Sequence, residues 1–323
     1  MKLFALVGLS LAVIGCRSSA PPAPEVAQTG SGTKVEGLRL AGSFSSGGLT
    51  VIPILEDAQK GGGEEVTTLA EAQKMGTVEI RELPTSQVNS LLVINHGDKP
   101  LLLLAGDLLL GGKQDRIVAK DTLVPPGKAM QVEAFCVEHG RWTEGKTKFE
   151  YSGSVVPQSV KSAAARESQE EVWSKVAEYR ANAAPMASMP SGTTVNGALS
   201  APEVRKQVDD ALAALRQELA SFPDAVGFVV ARGGRVVAVE LFGSPALFKQ
   251  AQDAVLRGYL ADSVVGGAPA APVDGERVEA GLKRALDARK GVRVDGMAVT
   301  QVEGGPDNAK LPLHGSYGFD AGH

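Results

Sequence analysis

Between Leu91 and Val137 the chain is a succession of short apolar runs, Leu91–Asn95, Leu101–Ala105, Arg116–Ala119 and Gln131–Val137, each closed by turn-forming or ionic residues. Runs this short do not support a helix, which needs about 10 to 12 residues of repeating pattern, but they fit strands. With turn signals at His96-Gly97-Asp98-Lys99-Pro100 and Pro125-Pro126-Gly127, they predict an antiparallel β-sandwich or a barrel-like sheet. The first two runs predict a hairpin turning through His96–Pro100. Upstream, Leu49–Leu55 reads as a strand, and Pro53 inside it, with no N–H to donate, predicts an edge or bulged position. Thr68-Leu69-Ala70-Glu71 has the spacing of a capping box ahead of a short helix closed by Gly76, and Thr77–Glu82 alternates as a strand.

After Tyr151 the period changes. Ala163–Arg180 predicts a helix with Val172, Trp173, Val176 and Tyr179 on one side, followed by a linker over Ala183–Leu199 that contains Pro185 and Pro190. Ser200-Ala201-Pro202-Glu203 predicts a second capping box, opening a helix whose Val204, Val208, Leu212, Leu215 and Leu219 share a face. Val226–Ala231 and Arg235–Leu241 flank Gly233-Gly234, a strong hairpin signal. Ser244-Pro245 opens another helix, Gly266–Gly275 is a loop, Arg277–Arg289 a helix, and Val292–Val302 a last strand. Strands followed by helices, without strict alternation, predict an α+β fold: a sandwich or barrel-like N-terminal part packed with amphipathic helices and a C-terminal hairpin. Residues 37–155 form the β-rich part. Residues 156–323 form the helix and hairpin part, which completes the same domain.

The N-terminus reads as an address. One positive charge at Lys2 precedes an apolar run from Leu3 to Ile14, too short to cross a membrane at about 20 residues and of signal-peptide length. Val13-Ile14-Gly15-Cys16 resembles the lipobox of bacterial lipoproteins, which implies a signal peptide over residues 1–15 and a lipid on the Cys16 sulfur. Buried acyl chains contribute about 0.8 kcal/mol per CH2, so two or three of them hold a protein on a membrane. Residues 16–36, rich in Pro, Ser, Gly and Ala, read as a flexible tether. The expectation is an envelope protein whose membrane partner is reached through Cys16. Arg17 following the lipid cysteine favours the outer membrane, with the folded part facing the periplasm or the cell exterior.

Composition removes several function classes. The formal charge of −4, from 33 Lys and Arg against 37 Asp and Glu, argues against nucleic acid as a partner, and 5% aromatic residues leaves little for base-stacking platforms. With Cys16 lipidated, Cys136 has no disulfide partner and reads as a buried thiol. Gly111-Gly112-Lys113 departs from a phosphate-binding loop, because Asp107 stands where a glycine is needed and Gln114 where Ser or Thr is needed. His96, His139, His314 and His323 have no metal spacing, no serine-hydrolase elbow is present, and no motif calls for a cofactor.

What remains is a dense ionic stretch between the strands. Lys113, Gln114, Arg116 and Arg141 supply donors for a phosphate or carboxylate, and Trp142 a flat surface for a ring. Asp107, Glu138 and Glu240 are carboxylates able to act as a general base or to bind hydroxyls. The same residues also fit a network of ion pairs bracing strand ends.

The segments LLLLAGDLLLGGKQDRIVAKDTLVPPGKAMQVEAFCVEHGRW and AVGFVVARGGRVVAVELFGSP resemble the ARG and Rhodanese-Phosphatase-superfamily-associated protein domain family, with KQDR and CVEHGRW the most specific parts. The likeness covers most of Leu38 to about Leu260. It picks out Lys113, Gln114, Arg116, Glu138, Gly140, Arg141, Trp142 and Glu240. Members often carry glutamate where this chain has the shorter Asp107. The family name records association with ADP-ribosylglycohydrolases and phosphatases, which implies a phosphorylated or ADP-ribose-like ligand. The resulting expectation is a lipid-anchored protein binding a small anionic, phosphate- or nucleotide-like ligand, with Glu138 and Asp107 as catalytic candidates if it is a hydrolase. Lys113, Gln114, Arg116, Arg141, Trp142 and Glu240 are then the ligand-binding residues. The alternative is a non-catalytic envelope module.

Overall fold

The computed structural model describes residues 32–57, 65–83, 89–140, 147–186, 194–303 and 312–320. The predicted signal peptide over residues 1–15, Cys16 and the predicted tether as far as residue 31 lie outside them. Among the described residues no helix is long and apolar enough to cross a membrane.

The strand Leu49–Glu56 has neighbours on both sides, so the edge position predicted from Pro53 is corrected. On one side it pairs with Ala225–Arg232. On the other it pairs with Phe44–Ser46 along its first half and with Leu38–Leu40 along its second. Those two short strands leave a gap opposite Ile52 and Pro53, where only the Pro53 carbonyl is used, by the Ala41 N–H at 2.9 Å. The proline sits where a ladder donor is not required. The full sheet has eight strands, running through Lys34–Val35, Leu38–Leu40, Leu49–Glu56, Ala225–Arg232, Arg235–Phe242, His314–Phe319 and Met297–Val302 in spatial order, with Phe44–Ser46 beside the third. Strands from both ends of the chain therefore share one sheet. Gly233 and Gly234, at φ 56° and 76°, make the tight turn between its central strands, as the sequence predicted.

Six further strands close into a barrel in the order Arg116–Val118, Ala129–Cys136, Ser90–Asn95, Val78–Glu82, Lys148–Val155 and Asp107–Gly111. Closure leaves no unpaired edge, and Ile80, Leu91, Val93, Leu109, Val118, Val132, Phe149 and Tyr151 belong to the apolar cluster that packs it. The predicted hairpin between the runs at Leu91 and Leu101 does not form. Leu101–Leu103 instead joins a separate sheet, antiparallel to Thr122–Val124 and parallel to Thr67–Thr68. Buried Asn95 is the reason: its amide donates to the carbonyls of Lys99, Val124 and Pro125 at 2.8, 3.0 and 3.3 Å, and its oxygen accepts from Gly97 N. The side chain thus ends the strand and redirects the chain.

Helices cover both faces of the large sheet. Pro202–Leu219 and Pro245–Gly266 pack with Leu49, Val51, Phe228, Val230 and Phe242, while Gly275–Arg289 packs with Ile54, Val229, Val239 and Leu241 on the opposite face. The predicted Ala163–Arg180 helix is two helices, Gln158–Ala165 and Gln169–Ala183. Glu167 turns to φ 61° between them and Ser168 caps the second by accepting from Glu171 N at 3.2 Å. Ser200 is not the cap of the next helix. Its hydroxyl bonds back to Asn196 O at 2.7 Å, and Ala201 takes the cap position ahead of Pro202. The last predicted strand is shorter, Met297–Val302, and an unpredicted one, His314–Phe319, lies between it and the hairpin.

Candidate functional site

Arg116 opens its barrel strand opposite Cys136 and Leu109. It shares the inward alternation of Val118, and its side chain is fully buried. Nη1 donates to the backbone and side-chain oxygens of Gln114 at 3.4 and 3.1 Å. Nη2 lies 3.7 Å from Glu82 Oε1, an ion pair without a hydrogen bond, and among the described residues neither Nη2 nor Nε has a hydrogen-bond partner. A buried guanidinium with unused donors is costly to maintain, because the desolvation of those N–H groups is not repaid.

The surrounding side chains hold one another. Gln114 Nε2 donates to the Glu138 carbonyl at 3.0 Å, and Asp115 N donates to Glu138 Oε2 at 3.3 Å. Asp115 accepts from Gly111 N at 3.0 Å and from the Thr194 hydroxyl at 2.9 Å, which ties the cap of the helix Val195–Leu199 to this end of the barrel. Lys113 N donates to Glu82 Oε1 at 3.0 Å. The glycines before Lys113 serve the backbone: a Cβ on Gly111, at φ 116°, would lie 2.7 Å from Lys148 O, and one on Gly112, at φ 52°, 2.1 Å from the Phe149 ring. The Gly-Gly-Lys signal is therefore a steric requirement of barrel closure. Cys136 is a buried free thiol whose pKa is pushed up by burial.

Asp107 and Glu240 belong to a second network. Glu240, fully buried on the hairpin strand, accepts from Lys161 Nζ at 3.2 Å, from Ser316 Oγ at 2.7 Å, and from the Tyr259 hydroxyl, and its Oε2 lies 3.1 Å from His314 Nε2. His314 Nδ1 meets Asp121 Oδ2 at 2.7 Å, and Asp121 Oδ1 accepts from Ala105 N at 2.7 Å. Burial alone would raise the Glu240 pKa, but the charge of Lys161 and its bonds to His314 and Tyr259 outweigh it and hold it at about 2. Burial likewise would lower His314, yet Asp121 and Glu240 raise it to about 9, so the ring is a cation at neutral pH. Asp107 accepts from Leu104 N at 2.8 Å and feels Asp121 and Lys161. Burial lifts its pKa to about 7 against the Leu104 amide and the nearby Tyr151 phenol, and its Oδ1 has no hydrogen-bond partner of good geometry among the described residues.

The structure thus gathers Lys113, Gln114, Arg116 and Glu138 at one end of the barrel and places Asp107 and Glu240 in a different network. Arg141 and Trp142 lie outside the described residues, directly after exposed His139 and Gly140. Sequence reasoning missed Glu82 and Thr194 at the first site, and Asp121, Lys161, Tyr259, His314 and Ser316 at the second. Lys161 carried the nearest thing to a signal, a cation among the small and apolar residues of Gln158–Ala165. Among the described residues no group of three or more His, Cys, Asp or Glu side chains is arranged to hold a metal.

Chemically, the barrel end offers guanidinium donors near a carboxylate, Glu138, whose Oε2 accepts from Asp115 N at 3.3 Å. In the second network Lys161, Glu240, His314 and Asp121 pair with one another with almost no exposed side-chain surface, whereas the neighbouring Asp107 keeps one oxygen unpartnered among the described residues. In comparison with known proteins, the model of the ARG and Rhodanese-Phosphatase-superfamily-associated Protein domain matches residues 37–302, well over half of the chain. No curated protein and no solved structure matches the chain.

Proposed function

The chain belongs to the ARG and Rhodanese-Phosphatase-superfamily-associated Protein domain family, and from that premise we propose that its barrel end binds a small anionic ligand of phosphate or nucleotide type. The observation that carries this reading is Arg116, a fully buried guanidinium whose Nε and Nη2 have no hydrogen-bond partner among the described residues. A phosphate or carboxylate oxygen is the group best suited to those donors. Lys113 stands half-buried at the rim, and Arg141 and Trp142 follow Gly140 in the chain. In an enzymatic version Arg116 and Arg141 hold the anion and Glu138 serves as base in hydrolysis of a phosphorylated or ADP-ribose-like substrate.

The proposal extends to location: residues 1–15 are a signal peptide, Cys16 carries the lipid, and the folded part is tethered at the bacterial envelope. Replacing Cys16 by Ser is expected to abolish labelled palmitate incorporation and release the protein from the membrane fraction. Unchanged labelling and membrane retention would reject the anchor.

A second reading, ion pairs that brace the fold, is favoured for one part of the molecule. Asp121, His314, Glu240 and Lys161 are fully paired and have almost no exposed side-chain surface. That network links the helix Gln158–Ala165, the large sheet and the segment after the barrel strand Arg116–Val118, and we assign it to architecture. The test of the ligand reading is thermal-shift screening of the full chain against phosphorylated sugars, nucleotides and ADP-ribose, with Arg116→Ala and Arg141→Ala alongside. A ligand at 100 times its Kd stabilises by about 2.7 kcal/mol, a shift that is easily seen. A shift lost in both variants supports the site; no shift with any anion counts against it.

A further inference from the structure

A cavity of about 470 Å³ opens where the barrel meets the helices that cover the large sheet. Its walls come from the barrel strands Asp107–Gly111 and Lys148–Val155 and from the helices Val195–Leu199, Pro202–Leu219 and Pro245–Gly266. Cavities of this size at the junction of two layers are where small molecules bind. The barrel strand gives up part of its ladder to reach it. Between Tyr151, opposite Leu109, and Val155, opposite Asp107, the register shifts, and Gly153 turns to φ 81°. A bulge of this kind re-aims its side chains, and here it puts Ser152 and Ser154 in the cavity wall.

The polar groups of the wall have fixed roles. The serine protons are spent on the backbone: Ser152 Oγ donates to Ser154 O at 3.3 Å, Ser154 Oγ to Val155 O at 2.8 Å, and Ser200 Oγ to Asn196 O at 2.7 Å. Each hydroxyl oxygen therefore faces a ligand as an acceptor. The ions of the wall are matched to one another. Asp209 accepts from Arg257 Nη1 at 2.5 Å and lies 3.6 Å from Arg205 Nε. A guanidinium carries more donors, and a carboxylate more lone pairs, than these contacts use, so the trio keeps hydrogen-bonding capacity while its charge is shared. Leu108, Leu199, Val208 and Ala261 make the apolar part of the wall.

We infer that this cleft is a binding site for an uncharged sugar of pyranose size. Acceptors on the serines and Asp209 stand beside donors on Arg205 and Arg257, and the Asn196 amide offers one group of each kind. A sugar hydroxyl both donates and accepts, so a ring bearing adjacent hydroxyls matches such a wall, and its C–H face rests on the leucines, Val208 and Ala261. A free anion is a poorer occupant, because Asp209 belongs to the wall. A purely apolar molecule is poorer still, because it strips water from those polar groups without replacing its hydrogen bonds. The site is separate from the barrel end, although one helix touches both: its cap Thr194 bonds to Asp115, whereas Asn196 and Leu199 line the cleft.

The test is a saturation-transfer NMR titration of the full chain with methyl glucoside, methyl galactoside and methyl mannoside, and with cyclohexanol as a ring bearing a single hydroxyl. At least one glycoside is expected to bind saturably and cyclohexanol not to bind. Asp209→Leu is expected to weaken the glycoside by about tenfold or more. Because that change also releases Arg257, Ser200→Trp at its exposed position gives an independent reading: it fills the cleft and is expected to abolish binding, while Arg116→Met leaves it in place. Absence of binding of all three glycosides to the wild-type chain, equal binding of cyclohexanol, or unchanged affinity in Asp209→Leu and Ser200→Trp would overturn the inference. Loss of binding in a folded Arg116→Met variant would overturn it too, by moving the sugar to the barrel end.

Discussion

His314 Nδ1 lies 2.7 Å from Asp121 Oδ2, with no exposed surface on either side chain. The contact joins the strand His314–Phe319 of the large sheet to the segment that leaves the barrel strand Arg116–Val118. On its other side the imidazole meets Glu240, itself paired with Lys161, so two cations alternate with two carboxylates in a dry interior. Such an arrangement is strongly coupled, because removal of any member leaves an uncompensated buried charge.

The His314 cation makes stability depend on alkaline pH. Its pKa is raised from an ordinary 6.5 to about 9 in the folded state, so its contribution is fully present below about 6.5 and is lost as pH rises through about 9. Melting temperatures of the wild type are expected to fall across that window. In His314→Gln the decline should be shallower, from a lower starting value at neutral pH, as followed by circular dichroism.

Lys161→Met strands the Glu240 carboxylate among Ser316, Tyr259 and His314. The expected cost is about 3–5 kcal/mol. Adding Glu240→Gln is expected to recover part of that loss, and chemical denaturation of the four members of the double-mutant cycle measures the coupling.

Asp107 works in the opposite sense to an ordinary paired carboxylate. Its folded pKa is raised from 3.8 to about 7, so burial favours the protonated form, and the associated stability is present below about 3.8 and lost as pH rises through about 7. Asp107→Asn, which stays neutral, is expected to remove this component, with an upper bound of about 4 kcal/mol from the size of the shift. Denaturation midpoints of the two proteins at the ends of the window make the comparison.

Gly112→Ala is expected to destabilise by about 1–3 kcal/mol, because the new methyl would meet the Phe149 ring at 2.1 Å in a left-handed backbone. Gly140→Ala, where φ is 84° but nothing among the described residues lies within reach of a Cβ, isolates the backbone part of that cost. Equal losses in the two variants would mean that the Phe149 contact contributes nothing.

Local signals were legible wherever a few adjacent residues determine the outcome. The Gly233-Gly234 hairpin, the helix from Thr68 to Gly76 and the apolar stripe of Pro202–Leu219 depend on turn chemistry and period, and the structure has them. The barrel and α+β class followed from many short strands. Long-range choices were not legible. That Asn95 would spend its amide on Val124 and Pro125, and so prevent a hairpin, depends on segments distant in sequence. The candidate site divides in the same way: Lys113, Gln114, Arg116 and Glu138 come from two neighbouring strand ends, whereas Glu240 pairs with Lys161 and His314 from opposite sides of it in the chain. His314 in particular showed no motif, because its partners are supplied only by tertiary packing.

The central claim rests on Arg116 as an anion-binding guanidinium, and its own N–H groups report on it most directly. Isotope-labelled arginine NMR of the full chain should reveal an Nε–H resonance slow to exchange with water and absent from Arg116→Met, since the group is buried and has no hydrogen-bond partner among the described residues. On titration with ADP-ribose or a sugar phosphate that resonance is expected to shift in a saturable way, the signature of a new charge-assisted hydrogen bond. A resonance that stays in place through saturating concentrations of every anion, in a protein whose Arg116→Met variant melts lower, would contradict a ligand role and make Arg116 a structural partner of Glu82.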